Sequence, residues 1–152
     1  MKLTSRGELA LKAMIELAKA DAGPTPGLSA TEVAHRCRAS VKFLEQVLSQ
    51  LRLAGYVVST RGRSGGYRLA RGANQIFVGE ISRLIDGPLA PAPCASVTQH
   101  QTCDWCESEA TCDLKTVWVR VRDAIAEVMD SVSLESLALQ AADRDGVARY
   151  VI

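Results

Sequence analysis

The sequence predicts a mainly α-helical chain with one small β-hairpin. Three observations predict it. Hydrophobic residues make up 47% of the 152 residues while aromatics are only 5%, so the core must be built from Leu, Val, Ile and Ala, which favours helices over a β-sandwich. Several segments repeat apolar residues at helical spacing. One short β-type run brackets a glycine-rich stretch, as a hairpin does.

Thr4 caps a first helix to about Ala20, with Leu9, Ala10, Ala13, Met14 and Leu17 on one face and Glu8, Lys12 and Glu16 opposite. Residues 22–27, with two prolines and two glycines, form a loop. Ser29 and Glu32 form a capping box for a short second helix. After a tight turn Ser40 caps a third helix to Ala54, closed by Gly55. Its stripe of Val41, Leu44, Val47, Leu48 and Leu51 is expected to be buried. Tyr56 to Thr60 and Tyr67 to Ala70 are the strands of a hairpin around the tip 61–66. A helix over 78–86 follows, then a proline-rich linker over 87–93 and a polar loop over 94–113 holding four of the five cysteines. From Leu114 a long helix presents Leu114, Val117, Trp118, Val121, Ile125 and Val128 close to an a/d seam. Ser133 caps a short last helix through Leu139, and the tail past Ala141 is expected to fray.

Helix, short helix, turn, helix and hairpin is the order of a winged helix-turn-helix. The expected division is a winged helix-turn-helix domain over 1–87, a cysteine-rich loop over 88–113, a dimerisation helix and short C-terminal helix over 114–141, and a tail over 142–152. Charge agrees with a nucleic-acid module. Residues 1–72 carry 12 Lys+Arg against 5 Asp+Glu, and residues 73–152 carry 6 against 12, beneath a net charge of +1. On the third helix Lys42, Glu45, Gln46 and Ser49 face outward together. Lys suits guanine or phosphate, Gln adenine, and Glu the cytosine amino group; a plain solvated face is the alternative. At the hairpin, Arg61, Arg63 and Arg68 surround three glycines, with no acid between Glu45 and Glu80, which suits a wing on a phosphate backbone.

Cys94, Cys103, Cys106 and Cys112 lie within 19 residues. Thiolates at such spacing suit an iron–sulfur cluster or a zinc ion, or a thiol switch with Cys103 and Cys106 as a reversible disulfide. No apolar run reaches the ~18 residues a membrane span needs, and Glu8, Lys12 and Glu16 interrupt the first apolar stretch, so no signal peptide is expected. The expected setting is cytoplasmic, with thiols rather than structural disulfides. A small thiol–disulfide enzyme is a remote alternative, because no βαβ pattern surrounds Cys103 and Cys106. No catalytic set of Ser/His/Asp or paired carboxylates, and no phosphate loop, is visible.

Met1-Lys-Leu-Thr-Ser-Arg-Gly, Phe43-Leu-Glu-Gln, Leu51-Arg-Leu-Ala-Gly-Tyr-Val-Val and Arg61-Gly-Arg-Ser-Gly-Gly-Tyr together resemble the bacterial winged-helix iron–sulfur regulators typified by IscR, NsrR and RsrR. The resemblance runs from Met1 to about Leu139. It implies a homodimer paired through its long helices, binding a double-stranded DNA operator. It places Lys42, Phe43, Glu45 and Gln46 at base-reading positions and Arg61 at the wing. It implies a [2Fe-2S] or [4Fe-4S] cluster, sensing iron–sulfur, redox or nitric-oxide status, with Cys94, Cys106 and Cys112 as core ligands. Cys103 is extra to the family pattern, and Lys115 stands where some relatives place a ligating histidine. The fourth ligand is then either Cys103 or Glu8, the latter reaching a partner's cluster from the first helix; an ion pair with Lys12 is the other role open to Glu8. Cys37 stands where one branch has a further ligand. Relatives without a cluster leave open a DNA-binding regulator that works through thiols, zinc or a protein partner.

Overall fold

The computed structural model describes residues 3–23, 27–60 and 65–148, with 145–148 described by backbone alone. Helix α1 spans Ser5–Asp21 and begins on Thr4, whose hydroxyl accepts the Gly7 N–H at 3.1 Å. The same hydroxyl donates to Asp86, so the start of α1 is tied to the end of α4, Val78–Asp86. Helix α2, Ala30–Cys37, opens with the expected box. The Glu32 N–H donates to the Ser29 hydroxyl at 3.2 Å, and the Ser29 N–H donates to the Glu32 carboxylate at 2.8 Å.

Arg38 closes α2 in the left-handed region, at φ +54°. Helix α3 follows over Val41–Leu53, capped by Ser40. It ends in a Schellman motif: the Tyr56 N–H donates to Leu51 O and the Gly55 N–H to Arg52 O, with Gly55 at φ +78°. Strands β1, Val57–Thr60, and β2, Gly66–Leu69, pair antiparallel with Val57 opposite Leu69 and Thr60 opposite Gly66. Leu28 adds a bridge to Tyr67, which seats the hairpin against the start of α2. That approach requires Gly66, since a Cβ there would stand 2.7 Å from Leu28 O.

The core joins α1, α2, α3, α4 and the hairpin through Met14, Leu17, Val33, Leu44, Leu48, Leu51, Val57 and Ile81, all essentially without solvent exposure. Burial of these side chains is the main term holding the winged helix together, at about 1.5–3 kcal/mol for each large aliphatic. Val41 departs from the expected stripe. It is 38% exposed, because it is the first residue of α3 and its direction leads out of the helix contact before the i, i+3, i+4 pattern starts.

Helix α5 spans Asp113–Ser131, and α6 spans Leu134–Ala148. The last helix is therefore longer than the short segment ending at Leu139 that apolar spacing predicts. It lies along α1, with Leu137, Ala138 and Ala141 half-buried, and this packing continues the helix after the apolar periodicity fades. Leu134 is fully buried in the same core as α1, and its N–H donates to Ile76 O at 2.9 Å. Helix α5 has no fully buried residue. It is held to α4 by Arg83, whose two guanidinium nitrogens each lie 2.7 Å from an oxygen of Asp130. No described helix is long and apolar enough to cross a membrane.

Candidate DNA-reading face and cysteine loop

The first two turns of α3 carry the expected surface. Lys42, Glu45, Gln46 and Ser49 are all exposed, while Leu44, Val47 and Leu48 point into the core. The 3.6-residue period separates the two sets, and the Ser40 cap fixes where the helix begins. Phe43 differs from its neighbours. It is half-buried and packed against the core, so only one edge of its ring is available to DNA. Gln46 has a partner that sequence spacing did not indicate: Arg6, on the first turn of α1, points a guanidinium nitrogen at Gln46 Oε1 at 3.5 Å. Arg6 thus adds a cation to this face. Arg61 and Arg63 lie outside the described residues, and so does the tip between the strands. Arg68 is exposed on β2.

The cysteine loop brings two of its four thiols together. Cys106 Sγ lies 3.4 Å from Cys112 Sγ, and Cys103 is next to the pair, its carbonyl accepting the Cys106 N–H at 3.3 Å. Cys112 precedes α5, and the N–H groups of Leu114 and Lys115 point at its sulfur. The Cys106 contact and then these N–H groups hold the Cys112 thiol below its ordinary value. Cys106, donating to Cys112 and crowded by Cys103, is pushed up to about 12. The contact thus makes Cys112 the more acidic of the two thiols.

Cys94 is buried in a one-turn 3-10 segment over Pro93–Ala95. That turn is bound to α5 by Arg122, which donates to Ala95 O at 2.8 Å. Lys115 donates to Glu109 at 2.6 Å, and His100 meets the same Glu109 oxygen at 3.0 Å. The Glu109 bond holds the Lys115 ammonium above its ordinary value, with smaller contributions from Cys94 and Cys112. Lys115 stays charged and is a countercharge to thiolates, not a ligand.

Among the described residues, no three His, Cys, Asp or Glu side chains of one chain stand in a metal-holding array. The donor chemistry nevertheless fits a thiolate-bound metal at Cys106 and Cys112. Two thiolates on one tetrahedral metal at ~2.3 Å stand ~3.8 Å apart, so the pair needs to open by only about 0.4 Å. Of the two candidates for a fourth ligand, Cys103 is already beside this pair. Glu8 is ion-paired with Lys12 at 2.7 Å, and it lines a cleft of about 240 Å³ with Cys37, Arg38 and Phe43. Cys37 and Glu8 thus face one cleft between α1 and the turn into α3. Trp105 is 95% exposed in the single chain.

Three comparisons with known proteins bear on this arrangement. Residues 3–140 match the model of the Rrf2 family, described as iron-dependent transcriptional regulators. The chain is 40% identical over 136 residues to an rrf2-like HTH-type transcriptional regulator of Rhodobacter capsulatus, covering 89% of this chain and 91% of that one. It is 33% identical over 150 residues to the HTH-type transcriptional regulator IscR of Pectobacterium carotovorum, covering 95% and 86%. Among solved structures it is similar to CymR, the global cysteine regulator of Bacillus subtilis, with a TM-score of 0.75 at 37% identity over 92% of this chain and 98% of that one.

Proposed function

The chain belongs to the Rrf2 family of DNA-binding transcriptional regulators, and from that premise we propose that it is a homodimer whose cysteine loop holds an iron–sulfur cluster and senses iron–sulfur, redox or nitric-oxide status. The observation that carries this reading is the Cys106–Cys112 pair, 3.4 Å apart at the head of α5. A cluster would supply iron that exchanges single electrons and binds small molecules directly.

The chain's own residues would do the following. Cys106 and Cys112 would ligate as thiolates, so metal uptake would release protons from the pair. Cys94 would complete the set by moving out from under Ala95, and the fourth place would go to Cys103 or to Glu8 of a second copy. Lys115, held by Glu109, would offset thiolate charge beside Cys112. Leu114, Val117, Val121 and Val128 are exposed along α5, and a second α5 would cover them. DNA would be read by Lys42, Glu45, Gln46 and Ser49, with the near edge of Phe43 and with Arg61 and Arg63 of the wing in the neighbouring groove. Two such halves must meet grooves ~34 Å apart or a multiple of it.

A second reading, a cluster-free regulator, is favoured by the absence of three converging ligands among the described residues of one chain and by the likeness to CymR. Visible absorption and iron analysis of protein reconstituted without oxygen separate the two. Charge-transfer bands that vanish in Cys106→Ala and Cys112→Ala support the cluster. A colourless, iron-free protein overturns it in favour of thiol chemistry.

A further inference from the structure

Helices α1, α2 and α6 line an open cleft of about 590 Å³ that neither α3 nor the hairpin lines among the described residues. Its size is that of a small-molecule site. Ile15 and Leu137 give it an apolar floor, and Lys12, Lys19, Arg36, Arg38 and Arg144 face into it. Glu16 is the one acid among its lining residues, and it is already shared by Lys19 at 2.7 Å and Arg36 at 3.5 Å. Lys12 is held by Glu8. Among the described residues Arg144 reaches only its own helix, donating to Gln140 O at 3.2 Å. Arg38 has no carboxylate partner among the described residues. Burial pushes the Cys37 thiol up, so no thiolate offsets these cations.

Five cations against two carboxylates, Glu16 and Glu8, leave the lining with an excess of positive charge, and such a lining attracts anions. Arg38 carries a backbone cost. It is the only non-glycine residue at positive φ among the described residues, a backbone state that an L side chain adopts at a penalty and glycine does not. A charged side chain at a position better suited to glycine points from strain to function.

We propose that this cleft binds a small organic anion carrying two or more phosphate or carboxylate groups, clamped by Arg36, Arg38 and Arg144. Guanidinium forks match both groups in two-point contacts, and the apolar floor accepts the carbon body of the ligand. A duplex is the less suited occupant, since its phosphates lie on a convex ridge and the cleft excludes the reading helix. A bound anion would join α2 to α6. It would do so at Arg38, two residues before the Ser40 cap of α3, so occupancy would bear on how the reading helix is set. The site adjoins the cleft that holds Glu8 and shares Lys12, Cys37 and Arg38 with it, but its three arginines are not among the proposed cluster ligands.

Calorimetric titration of the full chain with inorganic pyrophosphate and, separately, with tricarballylate tests it, with ionic strength held constant by sodium chloride. Saturable binding of one anion per chain is expected, and the stronger probe identifies the phosphate or carboxylate class. Arg38→Gly should weaken it about tenfold, as should Arg144→Gln. The unliganded Arg38→Gly protein should melt at the same temperature or higher, which separates lost binding from lost folding. Absence of saturable binding with both probes overturns the proposal, and so does unchanged affinity in both variants. If the variants instead weaken DNA binding with a shallower salt dependence, the face is a phosphate-backbone contact and the proposal is wrong.

Discussion

Gly66→Ala puts a methyl 2.7 Å from the Leu28 carbonyl oxygen and 2.8 Å from its carbon. Both atoms are backbone, so no rotamer change relieves the clash. Ordinary contact is ~3.5 Å, so Leu28 must retreat by about 0.8 Å. The two bonds it shares with Tyr67 are now 2.9 and 2.8 Å, and that retreat takes both past hydrogen-bond range. Two backbone bonds at about 1 kcal/mol net each, with residual strain, give a loss of about 2–3 kcal/mol. For a chain of this size that lowers Tm by roughly 4–12 °C. Gly55→Ala is the control. Gly55 sits at φ +78° with nothing within 4 Å of an added Cβ, so only the conformational penalty of about 1–2 kcal/mol applies. Scanning calorimetry reads the two costs, and amide exchange at Leu28 and Tyr67 reads where they fall. Faster exchange at those two amides is expected in Gly66→Ala alone. Equal exchange in the two variants, or a Gly66→Ala protein as stable as the parent, would refute the close-approach argument.

Leu134→Ala should cost about 2–5 kcal/mol in urea denaturation, because Leu134 is fully buried in the core with α1; a loss under 1 kcal/mol would mean that α6 is a loosely held arm. Glu45→Ala should relax discrimination among operator variants while keeping or raising affinity for random DNA, measured by anisotropy, since an acid facing phosphates costs affinity unless it accepts from cytosine. Val121→Asp should turn a dimer into a monomer in analytical ultracentrifugation, since it places a charge in the middle of the α5 stripe; a dimer that persists points to another interface. Arg83 holds the Asp130 carboxyl below its ordinary value of 3.8. A group with a depressed folded pKa contributes stability above its unfolded pKa and loses it as pH falls through the folded value. Arg83→Gln should therefore cost about 0.5–1 kcal/mol at neutral pH, and the gap between parent and variant should narrow progressively as pH falls below ~4; a gap of unchanged size down to pH ~2 would show that Arg83 acts by packing.

Much of the candidate site could be read from residue order. Ser29 with Glu32, Ser40 and Gly55 announce helix ends through local hydrogen bonds, and local bonds depend on neighbours in sequence. The outward set on α3 follows from a fixed 3.6-residue period. Four cysteines in 19 residues mark a candidate thiol site from residue order alone, although which of them meet depends on how the loop folds. Arg6 escaped the pattern, since its approach to Gln46 crosses 40 positions of chain. The cation cleft escaped it too, because its residues come from three helices and share no spacing.

What the sequence by itself determined is therefore the helix-turn-helix with its hairpin, the outward-facing side chains of α3 and the grouping of cysteines in one loop: each follows from periodicity, capping or proximity along the chain. Tertiary structure alone decided the rest. It seated Leu134 in the N-terminal core and carried α6 on to Ala148. It paired Cys106 with Cys112 rather than with Cys94. It turned Val41 and the α5 stripe outward, and it gathered Lys19, Arg36, Arg38 and Arg144 around one hollow. The physical reason is common to all four. Burial and charge depend on what packs opposite a side chain, and that neighbour is supplied by a distant part of the chain.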